Sequence, residues 1–353
     1  MEPGGRAGVS IVLGSLDRTD RLFWAVTGLA LVLAAGGAYL VSRAGATPEP
    51  RRPPAVGAPS PPSPPAVERS ELSPGARARR RLVFAQVQGD EAFRRLGEPA
   101  PGDWLYSFRE PGQTLEEYAA SRPNRKIPGR ETLHLLPFTD LDPVQRRQVP
   151  LIREHTALFF DTPVVTLPAR PVVRSWLDRG RQQYDADLIV RHLARRVPDE
   201  SLGLFGLMGS DLFGIGLNYV FGEALLEERA GIYSLRRYGR ASPMLLRRAL
   251  KLSAHEIGHM FGLKHCVFYE CVMNGVNSLV EMDRSPLHLC PVCLAKLQWN
   301  LRFDAARRYR RLAAFYRREG LEAEARFALA RSTEVAAGSS SGPLAPARGN
   351  AAR

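Results

Sequence analysis

Lysine is nearly absent from this chain. It occurs only at Lys126, Lys251, Lys264 and Lys296, so almost all of the 49 basic residues are arginine. Against 36 acidic residues they leave a net charge of +13. The excess Arg comes with abundant Ala, Gly and Pro, as codon bias in a GC-rich genome would produce. No RNA- or DNA-binding motif accompanies it, so nucleic acid is not expected as a partner. Cysteine is equally scarce: Cys266, Cys271, Cys290 and Cys293 are the whole complement, within 28 residues. A disulfide framework normally staples a small secreted domain with a poor core. Here the thiols crowd one corner of a 353-residue chain with 44% hydrophobic residues, so metal binding is the better explanation. With no cysteine between Arg69 and Arg130, that segment cannot silence a metal through a thiolate, even if it shields a cleft. Internal repeats are also lacking.

Leu22 to Val41 is a run of 20 residues without a charge. At about 1.5 Å per residue it spans a hydrocarbon core of about 30 Å. A signal peptide is the rival, with Ala44-Gly45-Ala46 as its cleavage site, but the apolar run exceeds the usual h-region of about 7–15 residues. A single-pass membrane protein is expected, or a secreted one if the segment is cleaved. Arg6, Arg18 and Arg21 balance Arg43, Arg51 and Arg52, which leaves the orientation open. Residues 1–21 flank this anchor, and residues 42–76 form a Pro-rich linker that cannot bury a core. Residues 77–335 form the folded domain, and residues 336–353, rich in Ser, Gly, Pro and Ala, a disordered tail.

Within the domain, Thr132 to Phe138 reads as a buried strand and Asp140 to Leu158 as a helix. Pro163 to Val173 is strand-like, and Gln182 to Arg196 has helical spacing. Leu202 to Met208, Asn218 to Phe221 and Gly231 to Leu235 read as short strands, and Met244 to Phe261 as a long helix. Leu294, Leu297, Leu301 and Leu312 share one side of a later helix ending near Gly320, with Leu321 to Arg331 packing back on it. Strands interleaved with helices predict an α/β (α+β) domain.

The chemistry concentrates in His255-Glu256-Ile257-Gly258-His259-Met260-Phe261-Gly262-Leu263-Lys264-His265. Positions i and i+4 of a helix lie on one face, so His255 and His259 can present two imidazoles to one Zn²⁺. Gly262 can take the positive φ that stops the helix and turns His265 back to the metal. Three protein ligands leave the fourth position to water, the mark of a catalytic zinc. Glu256, one step round, is placed to take a proton from that water as it attacks a peptide carbonyl. The four cysteines match a closed, structural zinc site of four thiolates; two disulfides or buried free thiols are the competing reading. Met273 is either a core methionine or a soft floor beneath the imidazoles.

The run from His255 to Cys293 resembles the archaemetzincins, a branch of the metzincin zinc peptidases. Their long histidine motif is followed directly by Cys, by a second Cys and a Met, and by a distal Cys-x-x-Cys, and all these positions are filled here. The gap from Met273 to Cys290 is one residue shorter than the family pattern. Upstream, Arg181 to Tyr184, Gly203-Leu204 with Asp211-Leu212, Tyr219 to Ala224 and Tyr233 to Leu235 are similar to family blocks. Gly102 to Leu105 and Glu110 to Thr114 are similar to the N-terminal segment of its larger members. The likeness covers roughly residues 80 to 320; the membrane run and linker depart from it. It implies a metzincin-like zinc peptidase domain with a mixed sheet, an active-site helix and a Met-turn at Met273. It further implies two zinc ions per chain and activity on peptides or proteins. The chain is expected to be a monomer. By the same analogy Asn218, Tyr219, Val220 and Phe221 form the cleft-edge strand that binds extended substrate, an ordinary structural strand being the alternative. Tyr233 and Tyr238 are secondary candidates to assist the oxyanion. The competing functions are a catalytically silent zinc-fold module at the membrane and an interaction protein using runs such as Arg77 to Arg81 or Arg307 to Arg311.

Overall fold

The computed structural model describes residues 91–225, 228–239 and 244–339. The expected membrane run, the Pro-rich linker, the first residues of the expected domain and residues 340–353 lie outside the described residues. Among the described residues no helix is long and apolar enough to cross a membrane.

Among the described residues two short helices come first, α1 (Trp104–Ser107) and α2 (Leu115–Ala120). Then follow β1 (Thr132–Pro137), α3 (Pro143–Arg146), α4 (Val149–Phe159), β2 (Val164–Thr166), β3 (Leu177–Asp178), β4 (Gln183–Asp185) and α5 (Ala186–Ala194). Strands β5 (Ser201–Met208), β6 (Leu212–Phe213), β7 (Gly222–Leu225) and β8 (Ala230–Ser234) lead into the long helix α6 (Met244–Met260). The described residues close with α7 (Leu279–Arg284), α8 (Pro291–Leu301), α9 (Ala305–Arg318) and α10 (Glu322–Ser339). The main sheet has the order β2-β1-β5-β8-β7, and β3-β4-β6 form a small second sheet. In the main sheet β2, β1, β5 and β8 are mutually parallel, and β7 pairs antiparallel to β8 at the edge. Central β5 is buried along its whole length, as a strand covered on both faces must be, and its sequence is accordingly apolar without alternation. Helices α4 and α6 pack into the larger core, and α5 covers the opposite face.

Several expected elements are divided or displaced. The helix read over Asp140 to Leu158 is two. Asp142 caps Val144 and Gln145 to start α3, and Pro150 opens α4 because it has no N–H to carry a helix through from α3. Of Pro163 to Val173, only Val164–Thr166 pairs as a strand. The helix expected from Gln182 begins at Ala186, where the Asp185 side chain accepts from the Leu188 N–H; Gln183–Asp185 form β4 instead. Asn218 to Phe221 is not a strand: β7 starts at Gly222, and Val220 makes a single bridge to Leu212. The single late helix is split at Arg302, which sits at φ 56° and ends α8 before Asp304 caps α9. Helix α10 runs to Ser339, so the first four residues of the expected disordered tail are helical.

The end of α6 determines where His265 falls. Gly262 has φ +83°, and the Leu263 N–H reaches back to the Gly258 carbonyl at 3.1 Å, a Schellman-type closure. Two of the freed carbonyls accept from the N-terminal segment: Phe261 from the Tyr118 hydroxyl at 2.8 Å and Gly262 from Gln113 Nε2 at 3.2 Å. A Cβ on Gly262 would lie 2.8 Å from Pro123 Cβ in a left-handed backbone. Gly262→Ala is therefore expected to cost about 2–4 kcal/mol, combining the conformational and overpacking penalties. A fall in the denaturant midpoint would measure it; an unchanged midpoint would show that the turn is not strained by a side chain.

Candidate active site

Helix α6 carries His255 and His259 on one face, with their Nε2 atoms 3.0 Å apart. His265, beyond the Gly262 turn, brings its ring centroid to 5.3 Å from that of His255 and 5.0 Å from that of His259. The ligand atoms of the three all lie within 4.8 Å of one another. Their outer nitrogens are all engaged. His255 Nδ1 is 2.8 Å from the Val272 carbonyl, His259 Nδ1 is 2.6 Å from the Leu263 carbonyl, and His265 Nδ1 is 2.8 and 3.0 Å from the two Glu110 oxygens. A carbonyl or ionised carboxylate only accepts, so each Nδ1 carries a hydrogen, and Nε2 is the ring nitrogen left to offer a lone pair to the common centre. Burial, and then the neighbouring imidazoles, lower the pKa of His255 to about 3 and that of His259 well below the usual range. Neutral imidazoles turned inward are the donor set that zinc takes.

Glu256 is buried at 7% exposure and lines a cleft of about 230 Å³ together with the three histidines. Burial first, and Glu223 second, push its carboxyl up to about 8; a cation at the histidines acts in the opposite direction. Gly222, at the start of β7, lies against it, since a Cβ there would meet Glu256 Cδ at 3.0 Å and the Ile232 carbonyl at 2.9 Å. Gly222→Ala is expected to shift the carboxylate and lower peptide turnover by roughly tenfold to a hundredfold, because small displacements of a reacting group are costly. Zinc content should be unchanged, and turnover within twofold of wild type would refute the contact.

Met273 is fully buried beneath this arrangement, where a Cβ on Gly258 would meet its Sδ at 2.5 Å. The four cysteines converge behind it. All are buried and unpaired by disulfides, and their sulfurs lie within 4.8 Å of one another. Cys266 Sγ and Cys290 Sγ are 3.6 Å apart, near the roughly 3.8 Å edge of a zinc–thiolate tetrahedron and far from a disulfide bond of about 2.05 Å. Hydrogen bonds from the other three cysteines hold Cys266 well below the usual thiol range, whereas burial pushes Cys271 and Cys290 up. Without a cation, four crowded thiols cannot all ionise. The Cys293 N–H, in the first turn of α8, donates to Cys290 Sγ at 3.4 Å and the Cys290 N–H to Cys271 Sγ at 3.2 Å. The four-cysteine loop also supports the histidine site, because Val272 holds His255 and the Cys266 N–H donates to the Met273 carbonyl.

Asn218, Tyr219, Val220 and Phe221 all line the cleft, although as the approach to β7 and not as a strand. Tyr219 is tied across it by a 3.2 Å bond from its hydroxyl to the Asn277 carbonyl. Tyr233 and Tyr238 are fully buried and do not line the cleft; the Tyr233 ring stacks on Phe205 inside the core. Trp104 and Glu110 stand out in the sequence only as part of blocks of family likeness, which assign them no role. Trp104 lines the cleft, and its Nε1 donates to Glu110 at 2.9 Å. Glu110 lies 155 residues from His265, so no local spacing marks their contact.

The pattern of the family described as Peptidase family M54 matches residues 171–299. The chain is 30% identical to archaemetzincin-2 of Homo sapiens over 258 residues, covering 60% of this chain and 71% of that relative. It is 35% identical to the archaemetzincin of Archaeoglobus fulgidus over 157 residues, covering 44% of this chain and 94% of that relative. Among solved structures, the archaemetzincin of Methanopyrus kandleri is 32% identical with a TM-score of 0.45, covering 50% of this chain and 97% of that one.

Proposed function

Because the chain belongs to the archaemetzincins, peptidase family M54, and is a zinc metallopeptidase, we propose that it hydrolyses peptide bonds in the cleft bounded by α6 and β7. His255, His259 and His265 hold the catalytic zinc, and Glu256 is the general base. The observation that carries this reading is the convergence of three Nε2 lone pairs, each enforced by an acceptor on Nδ1, beside one buried carboxylate. When bound, zinc supplies Lewis acidity and lowers the pKa of water. Glu256 takes the proton released as water attacks the scissile carbonyl and hands it to the departing amine. The Leu217–Gly222 approach and the edge strand β7 lie along the same cleft, and they support an extended substrate lying beside them through main-chain hydrogen bonds. Cys266, Cys271, Cys290 and Cys293 hold a second, structural zinc, giving two per chain.

The uncharged run Leu22 to Val41 supports attachment of this domain to a membrane as a single pass. Resistance of the full chain to alkaline extraction from membranes would test that attachment; release would favour a cleaved signal or peripheral binding.

The test of activity is digestion of a peptide library by the zinc-loaded full chain, before and after chelation and zinc restoration. Cleavage that is lost and regained with the metal is expected, and the sites cut would define the specificity. A folded chain carrying two zinc ions that cuts nothing would favour the silent binding module.

A further inference from the structure

The three histidines are not held alike. His255 and His259 ride on α6 and donate to main-chain carbonyls, at Val272 and Leu263. His265 follows the helix, in a stretch without regular structure. Its Nδ1 donates to a side chain, the Glu110 carboxylate, at 2.8 and 3.0 Å.

Glu110 is itself locked. Trp104 Nε1 donates to it at 2.9 Å, the Trp104 ring stacks on Phe108 at 4.2 Å and stands edge-on to His265 at 5.1 Å. The Trp104 N–H donates to Glu281 Oε1 at 2.9 Å. The ring lies so close to Gly275 that a Cβ there would come within 2.4 Å of it. Just beyond Glu110, Gln113 bonds both the Gly262 carbonyl and the Lys264 N–H, and Tyr118 bonds the Phe261 carbonyl. The stretch from Trp104 to Tyr118 thus grips the turn that delivers His265 at both its backbone and its ring. All of it precedes residue 171, where the family match begins.

We propose that Glu110 is a positioning residue for the third zinc ligand, and that the N-terminal segment completes the metal site. This rests on the three-histidine reading above. A carboxylate behind a ligating imidazole fixes the tautomer and ring orientation and raises the basicity of the ligand, and such partners contribute about 10–100-fold in metal affinity.

The experiment is zinc competition against a chromogenic chelator on the full chain, with Glu110→Ala, the near-isosteric Glu110→Gln and Trp104→Phe. The four-cysteine site serves as the internal reference, and cobalt substitution reports the ligand field of each site. Glu110→Ala is expected to weaken the histidine site by about 10–100-fold and leave the cysteine site unchanged. Glu110→Gln, which keeps one acceptor, should fall between wild type and Glu110→Ala and shift the cobalt bands of the histidine site. Trp104→Phe, which removes the indole N–H together with part of the ring, should weaken it several-fold. If Glu110→Ala does not fold, Glu110→Gln decides. Histidine-site affinity within twofold of wild type in Glu110→Gln, with an unaltered cobalt spectrum, overturns the proposal. Equal weakening of both sites also overturns it, since Glu110 would then support the fold and not the ligand. A wild-type chain that binds metal only at its cysteines removes the three-histidine reading and the proposal together.

Discussion

Glu256→Gln should reduce peptide hydrolysis by about 10²–10⁴-fold, the usual contribution of a positioned general base, while zinc content stays at the wild-type value. The three imidazoles are oriented by Val272, Leu263 and Glu110, none of which touches the substituted group through these bonds, so the metal site should survive. The near-isosteric amide also fits the space beside Gly222 that the carboxylate fills. Glu256 is almost wholly buried, and an uncharged replacement removes the desolvation penalty on an anion. The unfolding midpoint should therefore hold or rise. Initial rates on the best library peptide at matched zinc would measure the effect. A rate within threefold of wild type would place the base elsewhere; loss of zinc together with activity would make Glu256 part of the metal-holding framework.

Replacing Cys290 by Ser should remove one zinc per chain and lower the unfolding midpoint by about 10 °C or more. Structural zinc is worth on the order of 10 kcal/mol in a small finger. This chain also buries an extensive apolar core around the cysteines, unlike a small finger, so a loss of about 4 kcal/mol is expected, and for a domain of this size each kcal/mol moves the midpoint by about 2–4 °C. Cys290 is central: its sulfur lies 3.6 Å from Cys266 Sγ, accepts from the Cys293 N–H and caps α8. The damage should spread to the histidine site, because Val272 and Met273 belong to the Cys266–Asn274 loop. Metal analysis and calorimetry would test this. Equal zinc content and equal midpoints in wild type and variant would eliminate the four-cysteine site.

The motif from His255 to Cys293 was legible because its chemistry is local. Three histidines at helical and post-helical spacing and one glycine suffice to say which groups meet, since i and i+4 share a helix face and Gly262 takes a φ of +83°. Cysteines crowded within 28 residues carry their own message. Element type was legible where apolar patterning was strong, as in β5 and α6. Boundaries failed where one side chain or one proline divided a continuous pattern, at Asp142, Pro150, Asp185 and Arg302. The edge strand was displaced toward Gly222 because pairing partners, and not propensity, decide which residues of Asn218 to Leu225 join the sheet. The sequence by itself thus determined the family and which histidines and cysteines gather into two clusters at the end of α6. Only the tertiary structure decided that Trp104, Glu110, Gln113 and Tyr118 belong to the same site, since contacts across more than a hundred residues leave no periodicity along the chain. The physical reason is that a ligand beyond the end of its helix has exposed carbonyls and a free ring nitrogen to satisfy, and the groups that satisfy them come from whichever segment the fold brings alongside.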